Sequence, residues 1–221
     1  MTELLLVAAS GLAREVMALV RAGDDFDILG ILDDDPVRAG SVLDGAHVLG
    51  PLAEVRKHPG ARLVVCVGSG AIRADIVRRL GALGLPPGRF ATIVHPHTVV
   101  PEGCTVGEGS ILLANVVLTA AVTVGRHVVV MPGVTLTHGD FVDDYATFGA
   151  GVSLGGSVVV GRAAFLGMNS SIRQRTRVGA RAVIGMGAAV VSDVPEGQTW
   201  VGVPARPMSQ LAGGGAQGAE P

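Results

Sequence analysis

From Val94 to Val190 the chain keeps a six-residue beat. Every sixth residue is apolar, running Val94, Val100, Val106, Leu112, Leu118 and on through Val178, Ile184 and Val190. The position two before each beat is small or aliphatic, as at Ala146, Val152, Val158, Ala164, Ser170, Ala182 and Ala188. Two inward positions separated by two residues describe extended backbone, because strand side chains alternate between faces. The residue after the beat is often glycine (Gly107, Gly125, Gly149, Gly155, Gly161, Gly167, Gly179, Gly185), which suits a turn with positive φ before the next inward pair. Helical spacings of three and four are missing from this stretch. The pattern therefore predicts a solenoid of very short strands and tight corners, each layer burying its aliphatic residues against the next.

The first ninety residues follow another rhythm. Leu4 to Ala8 reads as a buried strand, Ala9-Ser10-Gly11 as a turn, and Leu12 to about Arg21 as a helix. A second strand, Ile28 to Leu32, ends at Asp33-Asp34-Asp35-Pro36, where proline forces a break. A loop with a short strand spans residues 40–50, and a short helix spans Leu52 to His58. Leu63 to Val67 is a buried strand that Gly68-Ser69-Gly70 turns into a helix from Ala71 to about Leu83. Strands alternating with helices predict a small parallel α/β sheet. The expected organisation is an α/β domain over 1–93, a solenoid with a C-terminal cap over 94–208, and a disordered tail over 209–221.

Composition narrows the function. Aromatic residues make up 3% of the 221-residue chain and glycine numbers 33, as a narrow aliphatic stack requires. A net charge of −2 offers no basic stripe for nucleic acid. Leu4 to Ala9 is too short to span a membrane and Glu3 replaces the basic start of an export signal, so the expected location is the cytoplasm. Cys66 and Cys104 read as small core residues rather than a disulfide framework. The histidines have no metal-ligand spacing, so no metal is expected.

The repeat resembles that of the hexapeptide-repeat acyltransferases, which implies a left-handed parallel β-helix with three six-residue sides per coil. The whole order, a βαβ domain feeding such a helix, resembles the sialic-acid O-acetyltransferase family, which includes bacterial N-acetyltransferases of nucleotide-linked 4-amino sugars. The likeness runs over residues 3–208 through Ile31-Leu32-Asp33-Asp34, Val67-Gly68-Ser69 with Ile72-Arg73, Ile93-Val94-His95-Pro96 and Gly202-Val203-Pro204-Ala205-Arg206.

His138, two residues past the beat, points away from the aliphatic stack. The resemblance implies that it is the general base, taking a proton from the acceptor as the acceptor attacks the acetyl thioester; imidazole titrates in the right range for this. The relatives usually carry an acid directly after that histidine. This chain has Gly139, with Asp140 one place later, either orienting the imidazole or serving as a turn residue. Gly156 lies one eighteen-residue coil beyond His138, beside Gly155; it leaves room for a thioester arm and offers an N–H to the developing oxyanion, or simply makes a tight corner. Ala150, Met168 and Met186 stack in another column, which in a homotrimer either lines the pantetheine groove of a neighbour or packs as an outward interface. Gly202, Val203, Pro204 and Arg206 correspond to the family's segment near the CoA adenine, with Arg206 facing a phosphate. In the first domain, Ser10 and Gly11 at a helix N-terminus suit a phosphate. Asp33 and Asp34 end the second strand, about where a dinucleotide fold places its ribose-binding acid; the resemblance implies base or ribose contacts here, with Ser69 and Arg73 nearby, and solvated turn acids are the other reading. The expected activity is acetyl-CoA-dependent N-acetylation of a nucleotide-linked amino-deoxy sugar. The alternatives are O-acetylation of a sialic acid or related sugar, and a trimeric scaffold without catalysis.

Overall fold

The computed structural model describes residues 1–86 and 88–211. Its N-terminal domain runs β1 (Thr2–Val7), α1 (Gly11–Arg21), β2 (Phe26–Leu32), β3 (Val42–Leu43), β4 (Ala46–Gly50), a 3₁₀ segment (Leu52–Lys57), β5 (Arg62–Val65) and α2 (Gly70–Ala82). The sheet order is β3-β4-β2-β1-β5. β1 is paired in parallel with both β2 and β5 and is therefore buried on both sides, as its unbroken Leu-Leu-Leu-Val run requires. Leu4 and Leu6 face α1 through Ala13, Val16, Met17 and Val20, while Leu5 and Val7 face α2 through Ile76 and Leu80. Each fully buried leucine contributes about 1.5–3 kcal/mol. The α1 side does not end within the domain, because Ile93, Ile111, Leu113 and Val129 of the solenoid join the same cluster. The two halves share a core.

In the solenoid, strands of two residues stack eighteen residues apart, for example Thr123 on Phe141, Val129 on Thr147 and Ser153 on Ser171. Three flat faces result. Face 1 holds residues 105–106, 123–124, 141–142, 159–160 and 177–178. Face 2 begins at 93–94 and climbs through 111–112, 129–130, 147–148, 165–166 and 183–184 to Thr199–Val201. Face 3 holds 117–118, 135–136, 153–154, 171–172 and 189–190. Trp200 and Ala205 close the top of the stack. At the bottom, Val100 stands outside any strand and is 38% exposed, since no coil lies beneath to cover it.

The glycines after the beat have a different role from the one expected. None has positive φ. The left-handed residues come two places later, at Asn115, Ala121, His127, Gly139, Tyr145, Ser157, Ala163, Asn169 and Arg175, among others. The glycines instead permit close stacking of coils: a Cβ on Gly161 would lie 2.5 Å from the Ala180 nitrogen, and one on Gly155 2.6 Å from that of Gln174. The tail expected from 209 begins as a helical turn, Met208–Leu211, and its remainder lies outside the described residues.

Candidate active site

His138 sits at the corner between faces 3 and 1, exposed, with Gly156 above it and Gln174 above that. The imidazole lies over Gly156 so closely that a Cβ there would meet its Cε1 at 2.3 Å and Nε2 at 2.4 Å. Gly156 thus makes room for the ring itself. Among the described residues its N–H donates to no protein acceptor, so it remains open to a ligand. Gly139 takes the corner's left-handed place at φ 73°, where a residue without Cβ is unstrained.

Asp140 does not orient His138. It is 1% exposed, and its Oδ2 accepts from the Thr137 N–H at 2.7 Å and its Oδ1 from the Val158 N–H at 2.9 Å. The reason is periodic: Asp140 lies two before the beat at Val142, an inward position, while His138 lies outside the corner. Burial pushes its carboxyl from 3.8 up to about 6, against the pull of those two N–H groups and of His138.

The residues expected around CoA occupy the corner between faces 2 and 3. Met168 is 48% and Met186 77% exposed there, above a half-buried Ala150. Gly202 and Val203 continue the column, because the Thr199–Val201 strand stacks on Val183–Ile184. The Gly202 carbonyl accepts from Ala189 and the Ala189 carbonyl from Ala205, which fixes the path of the exposed Gly202, Val203 and Pro204. Arg206 is exposed and donates to its own neighbour's carbonyl, at Ala205. Within one chain, the His138 corner and the methionine corner are opposite edges of face 3.

The N-terminal crevice opens at the carboxyl ends of β1, β2 and β5, where the strand order reverses, the usual ligand position in such sheets. A cavity of about 220 Å³ there is lined by Ala8, Asp33, Asp34, Leu52, Val67, Ile72, Asp75 and Arg79 among others. Ser10 caps α1 by accepting from Ala13 and donates to the Cys66 carbonyl at 2.6 Å, tying the β1 and β5 loops together. Gly11 begins the helix with open space around it. Ser69 caps α2 and is exposed. Asp33 accepts from the N–H groups of Ala9 and Asp35. Asp34 accepts from Leu52 and pairs with Arg79, and these contacts overcome burial to hold its carboxyl below the ordinary range. Asp75, Ile76 and Arg79 went unremarked in the sequence, although their spacing of three, one and three from Ile72 puts all four on one face of α2 over the crevice.

Arg73 faces the other way, into the joint between the domains. It is 1% exposed; Nε donates to the His127 carbonyl at 2.9 Å, Nη1 to Val67 and Gly68, and Nη2 to Tyr145, Ala146 and the Thr147 hydroxyl. It therefore cannot contact a nucleoside. The cause is the close seating of α2, whose Gly70 abuts the Tyr145 carbonyl and Ala163. Burial lowers the guanidinium to about 10, which leaves it charged at neutral pH. Beside it His127 stacks on Tyr145 at 5.1 Å, and burial lowers that imidazole to about 4. Among the described residues, no group of three or more His, Cys, Asp or Glu side chains forms a metal-ligating set, and no helix is long and apolar enough to cross a membrane.

Residues 3–80 match the family model of the PglD N-terminal domain. UDP-N-acetylbacillosamine N-acetyltransferase of Bacillus subtilis (strain 168) is 27% identical over 120 residues, 52% of this chain and 52% of that protein; the chain thus matches about half the length of this curated relative. Two solved structures align over nearly the full length. PerB from Caulobacter crescentus, in complex with CoA and GDP-perosamine, is 27% identical with a TM-score of 0.84, covering 94% of this chain and 97% of that one. The acetyltransferase domain of PglB from Neisseria gonorrhoeae, in complex with acetyl coenzyme A, is 29% identical with a TM-score of 0.84, covering 93% and 98%. A switch-point crevice joined to a left-handed β-helix of hexapeptide repeats is the architecture this chain shares with these two structures.

Proposed function

We propose that the protein transfers the acetyl group of acetyl-CoA to the amine of a nucleotide-linked amino-deoxy sugar, with His138 as general base. The relatives support the chemistry: the Bacillus subtilis protein is a UDP-N-acetylbacillosamine N-acetyltransferase, PerB binds CoA and GDP-perosamine, and the PglB acetyltransferase domain binds acetyl coenzyme A. One observation carries the assignment of the base: His138 is the exposed imidazole seated on Gly156, beside an N–H with no other acceptor among the described residues. The neutral amine attacks the thioester carbonyl and His138 takes the proton that the amine must lose. The resulting oxyanion is held by the Gly156 N–H. Collapse expels the CoA thiolate, which regains its proton from the imidazolium. The nucleotide sits in the crevice at Asp33, Asp34 and Ser69 and presents its sugar to the solenoid.

The exposed Met168, Met186 and Gly202–Pro204 lie on the far edge of face 3 from His138. In a homotrimer, that edge of one copy meets the His138 edge of the next, and the pantetheine arm runs in the seam. A cytoplasmic location fits an enzyme that consumes acetyl-CoA.

The test measures acetyl transfer by wild type and His138→Ala over UDP-, dTDP- and GDP-linked amino sugars and their hydroxyl counterparts. The expected result is a 10²- to 10⁴-fold fall in kcat with CoA affinity retained. Full activity of the variant removes the base. Turnover only of hydroxyl acceptors replaces N- by O-acetylation, and a wild type without turnover or CoA affinity leaves a scaffold.

A further inference from the structure

One coil past Gly156, the same corner carries Arg173 and Arg175 around Gln174, and Arg177 opens the adjoining strand of face 1. All three are exposed, and among the described residues none makes an ion pair or a side-chain hydrogen bond. Most of the other arginines in the solenoid behave differently: Arg126 and Arg162 bracket Asp144, and Arg181 pairs with Glu196. Asp193 accepts from the Arg177 backbone N–H at 2.8 Å and makes no ion pair with a guanidinium of the triplet. Three unneutralised guanidiniums within five residues repel one another and together form a site for phosphate oxygens.

Their height on the solenoid is informative. Parallel strands stack at about 4.8 Å, so two coils lift the triplet roughly 10 Å along the axis from His138. The intervening coil presents Gly155 and Gly156, with Ser153 and Ser171 turned outward on face 3, a track without bulky side chains. An extended pantetheine arm starting at His138 follows this track, and flexible arginine side chains cover the remaining distance.

We infer that Arg173, Arg175 and Arg177 bind the phosphate groups of CoA, a role that rests on the acetyl-CoA reading above. Within one chain, Arg206 is paired beside Val201 in the sheet of face 2, away from this track. The arrangement makes the thioester's position depend on charge two coils away, so a donor lacking phosphates loses affinity rather than reactivity.

The experiment compares wild type with the triple variant Arg173→Gln/Arg175→Gln/Arg177→Gln. Calorimetry with CoA and pantetheine is combined with KM values for acetyl-CoA, S-acetylpantetheine and the nucleotide sugar, and with the mass in solution. The expected result is a tenfold or greater loss of CoA affinity and a matching rise in the acetyl-CoA KM. The S-acetylpantetheine and sugar KM values and the mass stay unchanged. A rise confined to the nucleotide-sugar KM reassigns the triplet to the sugar's diphosphate and overturns the inference. A fall in mass overturns it in favour of carboxylates on a neighbouring copy. Unchanged CoA affinity in the variant overturns the triplet's role alone, whereas a wild type that binds no CoA overturns the acetyl-CoA reading with it.

Discussion

In the solenoid, residues that touch are eighteen apart in sequence and backbone lies on backbone. In the N-terminal domain, backbone ladders join the strands at irregular separations, and helices are joined to them by side chains. The same task, burying a polar group, is therefore solved in two ways. Asp140 is buried inside one corner and satisfied by N–H groups of its own and the next coil. Arg73 is buried between the regions and satisfied by carbonyls from 5 to 73 residues away and by one hydroxyl. The repeat can satisfy a polar side chain locally, whereas the joint depends on a single long one.

Arg73→Met breaks that contrast most severely. It strips donors from the carbonyls of Val67, Gly68, His127, Tyr145 and Ala146, for a loss on the order of 3–5 kcal/mol. Urea unfolding checks this, and a loss below about 1 kcal/mol would show that water replaces the guanidinium without penalty. Next comes Gly161→Ala, where a Cβ 2.5 Å from the Ala180 nitrogen forces the coils apart. About 2–3 kcal/mol is expected, as for overpacking generally. Its counterpart Ala121→Gly, at an exposed residue with φ 51°, is expected to stay within about 1 kcal/mol of wild type, since relief of the left-handed strain offsets glycine's entropy. Equal effects from the two would refute the division of labour between beat-following and left-handed positions.

How much of this was legible in the sequence depended on the region. The six-residue beat and the outward placement of His138 followed from period, because each corner imposes the same geometry on each position, while the eighteen-residue coil followed from the family resemblance. The same period also places Asp140 inward, two before Val142, so its burial was readable; attention to its neighbour His138 hid it. In the first domain the strands and helices were legible from their apolar runs and breaks. The burial of Arg73 was not, because it depends on α2 docking against Tyr145 and Ala163, a tertiary contact with no local signature. The role of the glycines after the beat was misread for a related reason: a close approach between coils and a positive φ both select glycine, and only φ separates them.

Asp140→Asn sharpens the comparison on the solenoid side. Asparagine has one side-chain oxygen for two N–H groups, so one meets the amide nitrogen, at a cost of about 1–2 kcal/mol. The wild-type carboxyl holds its proton up to about pH 6 in the folded chain, against an ordinary value of 3.8. The stability from the protonated group is therefore full below about pH 3.8 and lost as pH rises through about 6. The variant is expected to lack that slope in a series of melts from pH 4 to 7. Its kcat should stay close to that of the wild type, because both Asp140 oxygens accept from backbone N–H groups and neither is hydrogen-bonded to His138; a large fall would restore the orienting role.

The smallest effect is expected where the first domain meets its ligand crevice. Ala8, at the end of β1, has φ 79° and donates its N–H to the Leu32 carbonyl at 2.8 Å, so strand pairing holds it in a conformation that disfavours a Cβ. The left-handed conformation costs an L-residue about 1–2 kcal/mol. Glycine removes that cost but loses about 0.5–1 kcal/mol more conformational entropy on folding. Ala8→Gly is thus expected to stabilise by roughly 0.5 kcal/mol, visible as a small rise in the urea midpoint at unchanged slope. The sign carries the argument. In the solenoid the corner geometry repeats and tolerates Asn, Ala, His, Tyr, Ser or Arg at its left-handed position, so relief there is shared among equivalent sites. At Ala8 a single residue bends the chain over the crevice, and a destabilised Ala8→Gly would mean that the Cβ contributes packing against the cavity wall that outweighs the strain.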